Sequence, residues 1–389
     1  MNNPLLVFNP DHDLALGNGD PNFVPPASAL TFAREGAWLP AWLYPRGTVW
    51  CPNAIDDEYL NICHKLDVQT IPESEVSRIN FTEIIPWGWD PLVVNNLQKM
   101  GVAKSLFPSQ EELQKIKELS NRGMAVSGLQ YLKMHSPFAA SLPEVAPVIA
   151  REPEEVEHFL SQHRHIVLKS PLSGSGKGLR WSSDSLTTHD AGWIRNVILK
   201  QGSCIAEKRY AVKQDFAMEF ECRGEVRFCG YSLFNTVGGS YCGNQLLSNE
   251  KIENILTRHI DLEIIINIKN LLIDFLNLHF VPFYTGFLGV DMFLYEENGS
   301  KLHPCVEINV RHTMGLLARR FRDDYLVPEA RGTLTTHYFN NSKGTSDFIE
   351  QLSRQSAPVI EGGKIARGTW PLFPLTPESH YAVVVMVEN

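Results

Sequence analysis

The segment His165-Ile-Val-Leu-Lys-Ser-Pro-Leu-Ser-Gly-Ser-Gly-Lys-Gly178 limits what this chain can become more than any other stretch. A short apolar run of strand character breaks into Ser173, Gly174, Ser175, Gly176, Lys177 and Gly178. Glycine lets a backbone approach a ligand closely, so the N–H groups of such a loop can surround phosphate oxygens. Spacing excludes two common phosphate loops. The pattern G-x-x-x-x-G-K-[ST] meets Pro171 at its first glycine and Gly178 at its metal-binding hydroxyl. The dinucleotide fingerprint G-x-G-x-x-G meets glycines spaced G-x-G-x-G, and the protein-kinase loop fails in the same way. By itself the loop reads equally well as a flexible hairpin.

The chain before it alternates short apolar runs (Leu5 to Phe8, Thr48 to Cys51, Val68 to Ile71, Glu83 to Pro86) with helical stretches (Ala27 to Gly36, Asp56 to Leu66, Pro91 to Met100). This alternation predicts a small α/β domain with a parallel sheet. Ser109-Gln-Glu-Glu112 has the form of a capping box and opens a charged helix ending near Ser120. Four prolines between Ser136 and Pro153 read as a connection. Then come a helix from Glu154 to Gln162 and strands at His165 to Lys169, Cys204 to Glu207, Phe216 to Glu221 and Val226 to Phe234. A long amphipathic helix or helix pair spans Ile252 to Phe280, carrying too many charges to cross a bilayer. Strands follow at Leu288 to Tyr295 and Lys301 to Ile308, then a helix at Ser346 to Arg354 and a last strand at Tyr381 to Val387.

Two of these strands carry chemistry. Gly289-Val-Asp291-Met-Phe places one acid among apolar residues, and Glu307-Ile-Asn309-Val-Arg311 alternates acid, amide and guanidinium on one face. Two carboxylates and an amide oxygen are hard ligands of the kind Mg2+ prefers, and a buried carboxylate needs a partner that a metal provides.

Taken in order, Lys169-Ser-Pro with Gly-Ser-Gly-Lys-Gly178, Ala206-Glu-Lys-Arg-Tyr210, Asp291 and Glu307-Ile-Asn309-Val-Arg311 resemble the motifs of the ATP-grasp superfamily over roughly residues 122–320. The resemblance implies a fold of α/β and α+β class. A Rossmann-like domain (1–121) would precede a small subdomain with the glycine loop (122–206) and a large subdomain with the metal site (207–335), with 336–389 completing the fold. It implies that Lys169 reaches the ATP phosphates, that the Ser173 to Gly178 loop closes over them, and that Arg122, or its rival Lys133, touches them first. Glu207 and Lys208 would offer polar contacts to adenine, Arg209 and Tyr210 mainly main-chain ones, and Asp215 would meet the ribose. Asp291, Glu307 and Asn309 would hold Mg2+, or Mn2+ in its place, and Arg311 would stabilise charge on the transferred group. The implied activity is an ADP-forming ligase that activates a small-molecule or peptide carboxylate as an acyl phosphate and passes it to an amine or thiol. A phosphotransferase on the same scaffold and a catalytically silent nucleotide-binding regulator remain the alternatives.

The charge balance fits a small-anion site better than a nucleic-acid one. With 35 Lys+Arg against 44 Asp+Glu the chain carries a formal charge of −9, without the basic footprint that neutralises a phosphate backbone. Seven dispersed cysteines with no C-x-x-C pair argue against a disulfide scaffold and a zinc knuckle. MNNPLLVFNPDHD lacks a basic n-region, so the expectation is a cytoplasmic protein with no membrane partner; a homodimer is allowed. No catalytic base stands out. Asn9 to Asp13, the Trp87–Trp89 pair and Tyr241 to Asn244 carry no assignment, although the last two could line an acceptor pocket.

Overall fold

The computed structural model describes residues 4–44, 48–51, 70–72, 80–174, 178–237 and 240–388; the expected helix at Asp56 to Leu66 and the loop residues Ser175, Gly176 and Lys177 lie outside them. Among the described residues the strands are β1 (Pro4–Val7), β2 (Thr48–Cys51), β3 (Thr70–Pro72), β4 (Glu83–Pro86), β5 (Val148–Ala150), β6 (His165–Lys169), β7 (Leu179–Ser183), β8 (Cys204–Lys208) and β9 (Ala211–Cys222). They continue as β10 (Val226–Val237), β11 (Ser240–Leu246), β12 (Gly286–Glu296), β13 (Ser300–Asn309), β14 (Arg331–Tyr338), β15 (Val359–Glu361), β16 (Lys364–Pro371) and β17 (Tyr381–Glu388).

They form three sheets. The first is parallel with order β3-β2-β1-β4, in keeping with the parallel sheet expected of the N-terminal region. The second, β5-β8-β6-β7, is antiparallel and carries the glycine loop between β6 and β7. The third has nine strands in the order β13-β12-β9-β10-β11-β14-β17-β16-β15. Only Arg209 and Tyr210 separate β8 of the second sheet from β9 of the third. The expected division at 206/207 falls inside β8 and that at 335/336 inside β14.

Strand period explains how the large sheet presents its chemistry. On β9, Phe216, Met218 and Phe220 enter the main core against the helix Leu262–His279, so Asp215, Ala217 and Glu219 face the other way. Further elements were not legible in sequence: the helices Arg122–His135, Thr188–Gln201 and Met314–Tyr325, and strands β5, β11, β14, β15 and β16. Tyr241 to Asn244 is therefore part of a paired strand. The expected helix pair is observed as Asn249–Leu256 and Leu262–His279, and no described helix is long and apolar enough to cross a membrane. Both halves of the Ser109 capping box form. Asp90 caps the helix Pro91–Lys99 by accepting from Val93 N at 2.8 Å, and Asn9 Nδ2 donates to its other oxygen at 2.8 Å, which ties the end of β1 to the end of β4.

Candidate active site

One cavity of about 820 Å³ opens where the three sheets meet. Lys169, Glu207, Lys208, Arg209, Tyr210, Asp215, Asp291, Glu307, Asn309, Arg311 and Arg122 all line it. Ser173, Gly174 and Gly178 do not: the Ser173 hydroxyl accepts from Arg122 NH1 at 2.6 Å, and a Cβ at Gly174 would lie 2.9 Å from Asp13 Oδ2. The Ser173–Gly174 end of the loop is thus folded onto Arg122 and Asp13, and Gly178 lies against Ser173 and Ser170. Lys133 is half-buried and donates to the Glu144 carbonyl at 2.9 Å; it does not line the cavity.

At the β6–β8 end, the nearly buried Lys169 pairs with Glu207, and His303 Nε2 stands 2.5 Å from the other Glu207 oxygen. Desolvation by itself would raise the Glu207 carboxyl, but the Lys169 ammonium, with the His303 ring beside it, holds it down at about 2. In the structure the Glu207 carboxylate, at the cavity wall, is paired with Lys169. Lys208 pairs with Glu297, and Arg209 N donates to the His165 carbonyl at 3.0 Å. Tyr210 packs tilted against Tyr295 with ring centroids 4.4 Å apart, and Asp215 accepts from Thr236 Oγ1 at 2.8 Å. Trp181, half exposed on β7, also lines this end.

The β12–β13 end is built differently. Asp291 and Glu307 sit directly opposite each other on adjacent antiparallel strands, a like-charge pairing that is unfavourable unless a cation joins them. Arg122 NH2 reaches Glu307 at 2.8 Å, and Asn309 Nδ2 donates to Asp291 Oδ2 at 3.0 Å. Desolvation first, and Glu307 second, push Asp291 up to about 7. Arg311 follows the end of β13; its NH2 donates to Asn309 Oδ1 at 2.9 Å and lies 2.8 Å from Asp13 Oδ2 in the helix His12–Asn18. Asp291 with its raised pKa, Glu307 opposite it and the Asn309 amide are together a donor set of the right chemistry for a hard divalent cation.

Two functional candidates escaped sequence reasoning. Asp13 lies 298 residues from Arg311, and its only signal was the polar cluster after the first strand. Glu219 is 1% exposed and is pushed up to about 8, first by desolvation, while Thr313 Oγ1 donates to its Oε2 at 2.9 Å. The signal available was a carboxylate at an alternating position within Phe216-Ala-Met-Glu219-Phe220.

No family model and no curated protein sequence matches this chain. Among solved structures, all of the chain aligns with 88% of a biotin carboxylase from Campylobacter jejuni in a β-γ-ATP complex, at TM-score 0.55 and 12% identity. All of it also aligns with 94% of the N5-carboxyaminoimidazole synthetase from Staphylococcus aureus complexed with ADP, at TM-score 0.51 and 12% identity. Together with the sheet order and the two-residue link between β8 and β9, these likenesses establish that the chain has the ATP-grasp fold.

Proposed function

We propose that the cavity binds ATP with Mg2+ and that the protein is an ADP-forming ligase, activating a carboxylate as an acyl phosphate and transferring it to an amine or thiol. The observation that carries this reading is the convergence on one cavity of Lys169 from the second sheet, Asp291, Glu307, Asn309 and Arg311 from the β12–β13 edge of the third, and Arg122 from the helix Arg122–His135. The two neighbours above are ligand complexes with ADP and with an ATP analogue, which supports a nucleotide in the equivalent place.

In this reading the nucleotide base lies by the β8–β9 link, within reach of Tyr210 and Trp181, and the triphosphate runs toward β12 and β13. Lys169, held in place by Glu207, neutralises phosphate oxygens. Asp291, Glu307 and Asn309 would hold Mg2+, which when bound supplies charge neutralisation of the triphosphate and of the transferred phosphoryl group. Arg311, anchored by Asp13 and Asn309, presents a guanidinium where negative charge develops. The chain's main contribution is positioning and preorganised charge rather than covalent chemistry.

The test is phosphate and ADP release over pairs of carboxylates and amines, for wild type beside Glu307→Gln. The expected result is turnover with a subset of pairs, reduced in the variant by on the order of 10²-fold or more. Phosphate appearing on a non-carboxylate acceptor would favour the phosphotransferase, and nucleotide binding without turnover across the set would favour a regulator.

A further inference from the structure

Beyond the metal ligands, the cavity continues under the N-terminal domain, and its lining changes character. Phe8, Phe32 and Trp87 form an aromatic wall, with Phe8 edge-on to Phe32 at 5.1 Å and to Trp87 at 5.0 Å. Glu219 lines the same cavity. Its carboxylate occupies a cradle cleared by two glycines: a Cβ at Gly289 would lie 2.7 Å from Oε2, and one at Gly315 would lie 2.2 Å from Oε1 and 2.4 Å from Ser232 Oγ. The cradle is extended by Asn244, whose Nδ2 donates to Ser232 Oγ at 2.7 Å. Thr313 is the hydrogen-bond donor recorded on Glu219, and the charged groups that act on it are Asp291 and Arg311, the latter already held by Asp13. Tyr241 and Cys229 are the other titratable side chains that feel it. The ionised form of a carboxylate this deeply buried, beside a second acid and with one hydroxyl donor, is costly unless a cation comes to it.

We propose that the acceptor substrate of this site is a primary amine carried on an apolar, ring-sized body: Glu219 receives the ammonium group, and the wall of Phe8, Phe32 and Trp87 receives the body. This rests on the ligase reading above and names the substrate class that reading leaves open. An ammonium offers three donors, which Glu219 and Ser232 Oγ can accept, while Asn244, whose Oδ1 accepts from Tyr241 OH, holds the Ser232 hydroxyl in place. A thiol acceptor brings no charge to offset Glu219, and a carboxylate would be repelled by it. The pairing also divides the two substrates by charge, with the acid facing Arg311 and the amine facing Glu219.

The experiment uses the full chain with Mg2+ and the non-hydrolysable β,γ-imido analogue of ATP, and measures binding of phenethylamine, 2-phenylethanol, ethanolamine and 3-phenylpropionate by calorimetry. Phenethylamine is expected to bind at least about 10-fold more tightly than the alcohol, which lacks the charge, and than ethanolamine, which lacks the ring. Glu219→Gln is expected to abolish that preference while leaving the affinity for the nucleotide analogue within about 2-fold. Gly315→Ala, which fills the cradle without removing the acid, is expected to weaken phenethylamine in the same way. Equal binding of amine and alcohol, a preference for phenylpropionate, or an unchanged amine affinity in Glu219→Gln overturns the proposal. So does a loss of Mg2+ affinity in Glu219→Gln, since Glu219 would then be a metal ligand. If the analogue binds neither protein the ligase reading falls on its own, and the same four-ligand comparison on the nucleotide-free protein still decides the inference.

Discussion

Glu207 and Asp291 are two carboxylates on the same cavity wall with opposite fates. Glu207 lies between Lys169 and His303 and is held down at about 2; Asp291 faces Glu307 across a strand pair and is pushed up to about 7. Both lose hydration, so burial does not distinguish them; the neighbour does. At the β6–β8 end the protein supplies its own cations, and the charge is settled before any ligand arrives. At the β12–β13 end the acids outnumber the cations near them, and the balance is left to something that binds. A chain of net charge −9 can accommodate a polyphosphate on these terms, because the metal brings neutralising charge to acids already gathered.

The comparison breaks most visibly if Lys169 is removed. Lys169→Ala leaves Glu207 buried beside His303 alone and is expected to destabilise the protein by about 3–5 kcal/mol in denaturant unfolding. A loss below about 1 kcal/mol would mean that the pair is solvated and that the Glu207 end is not preorganised.

Asp291→Asn should act with the opposite sign. An acid whose folded pKa lies above its unfolded value makes the native state progressively less stable as pH rises through that interval, here from about 4 to about 7. The metal-free variant should therefore exceed wild type at pH 8, by about 1–3 kcal/mol because the side chain keeps some solvent on its cavity side, and the gap should close below pH 4. A variant less stable than wild type at pH 8 would show that Asp291 already has a partner.

How much of this could be read from residue order depends on the range of each interaction. The strand and loop at His165 to Gly178, the alternation at Glu307, Asn309 and Arg311, and the N-terminal parallel sheet are local patterns, and period alone places them. Asp13 on Arg311 and the glycines that clear space for Glu219 depend on contacts between distant segments. The helix Met314–Tyr325 was hidden by its three arginines, although Thr313 caps it and Leu316, Leu317 and Phe321 repeat at helical spacing. Strand β14, Arg-Gly-Thr-Leu-Thr-Thr-His-Tyr, is Thr-rich with one fully buried apolar residue, and it is a strand because β11 and β17 flank it.

Acid titration separates the two ends from the other side. The contribution of Glu207 is present above the ordinary carboxylate pKa near 4.5 and is lost as pH falls from there toward about 2. Wild type should lose stability across that window relative to Glu207→Gln, whose curve should be flatter there; parallel curves would contradict the assignment. The smallest expected effect is optical. Trp181 stands half exposed on the cavity wall, so a bound nucleotide should change its emission, and Trp181→Phe should remove that change with little loss of stability, within about 0.5 kcal/mol.

The central claim, that the Asp291–Glu307 pair is completed by a cation carried with nucleotide, is tested most directly by thermal unfolding at pH 8 with ATP held constant and Mg2+ titrated, for wild type and Glu307→Gln. Wild type should gain stability with Mg2+ as the complex saturates, about 2.7 kcal/mol at a hundredfold excess over the dissociation constant, and the variant should gain much less. Equal gains in the two proteins, or none in wild type, would contradict it.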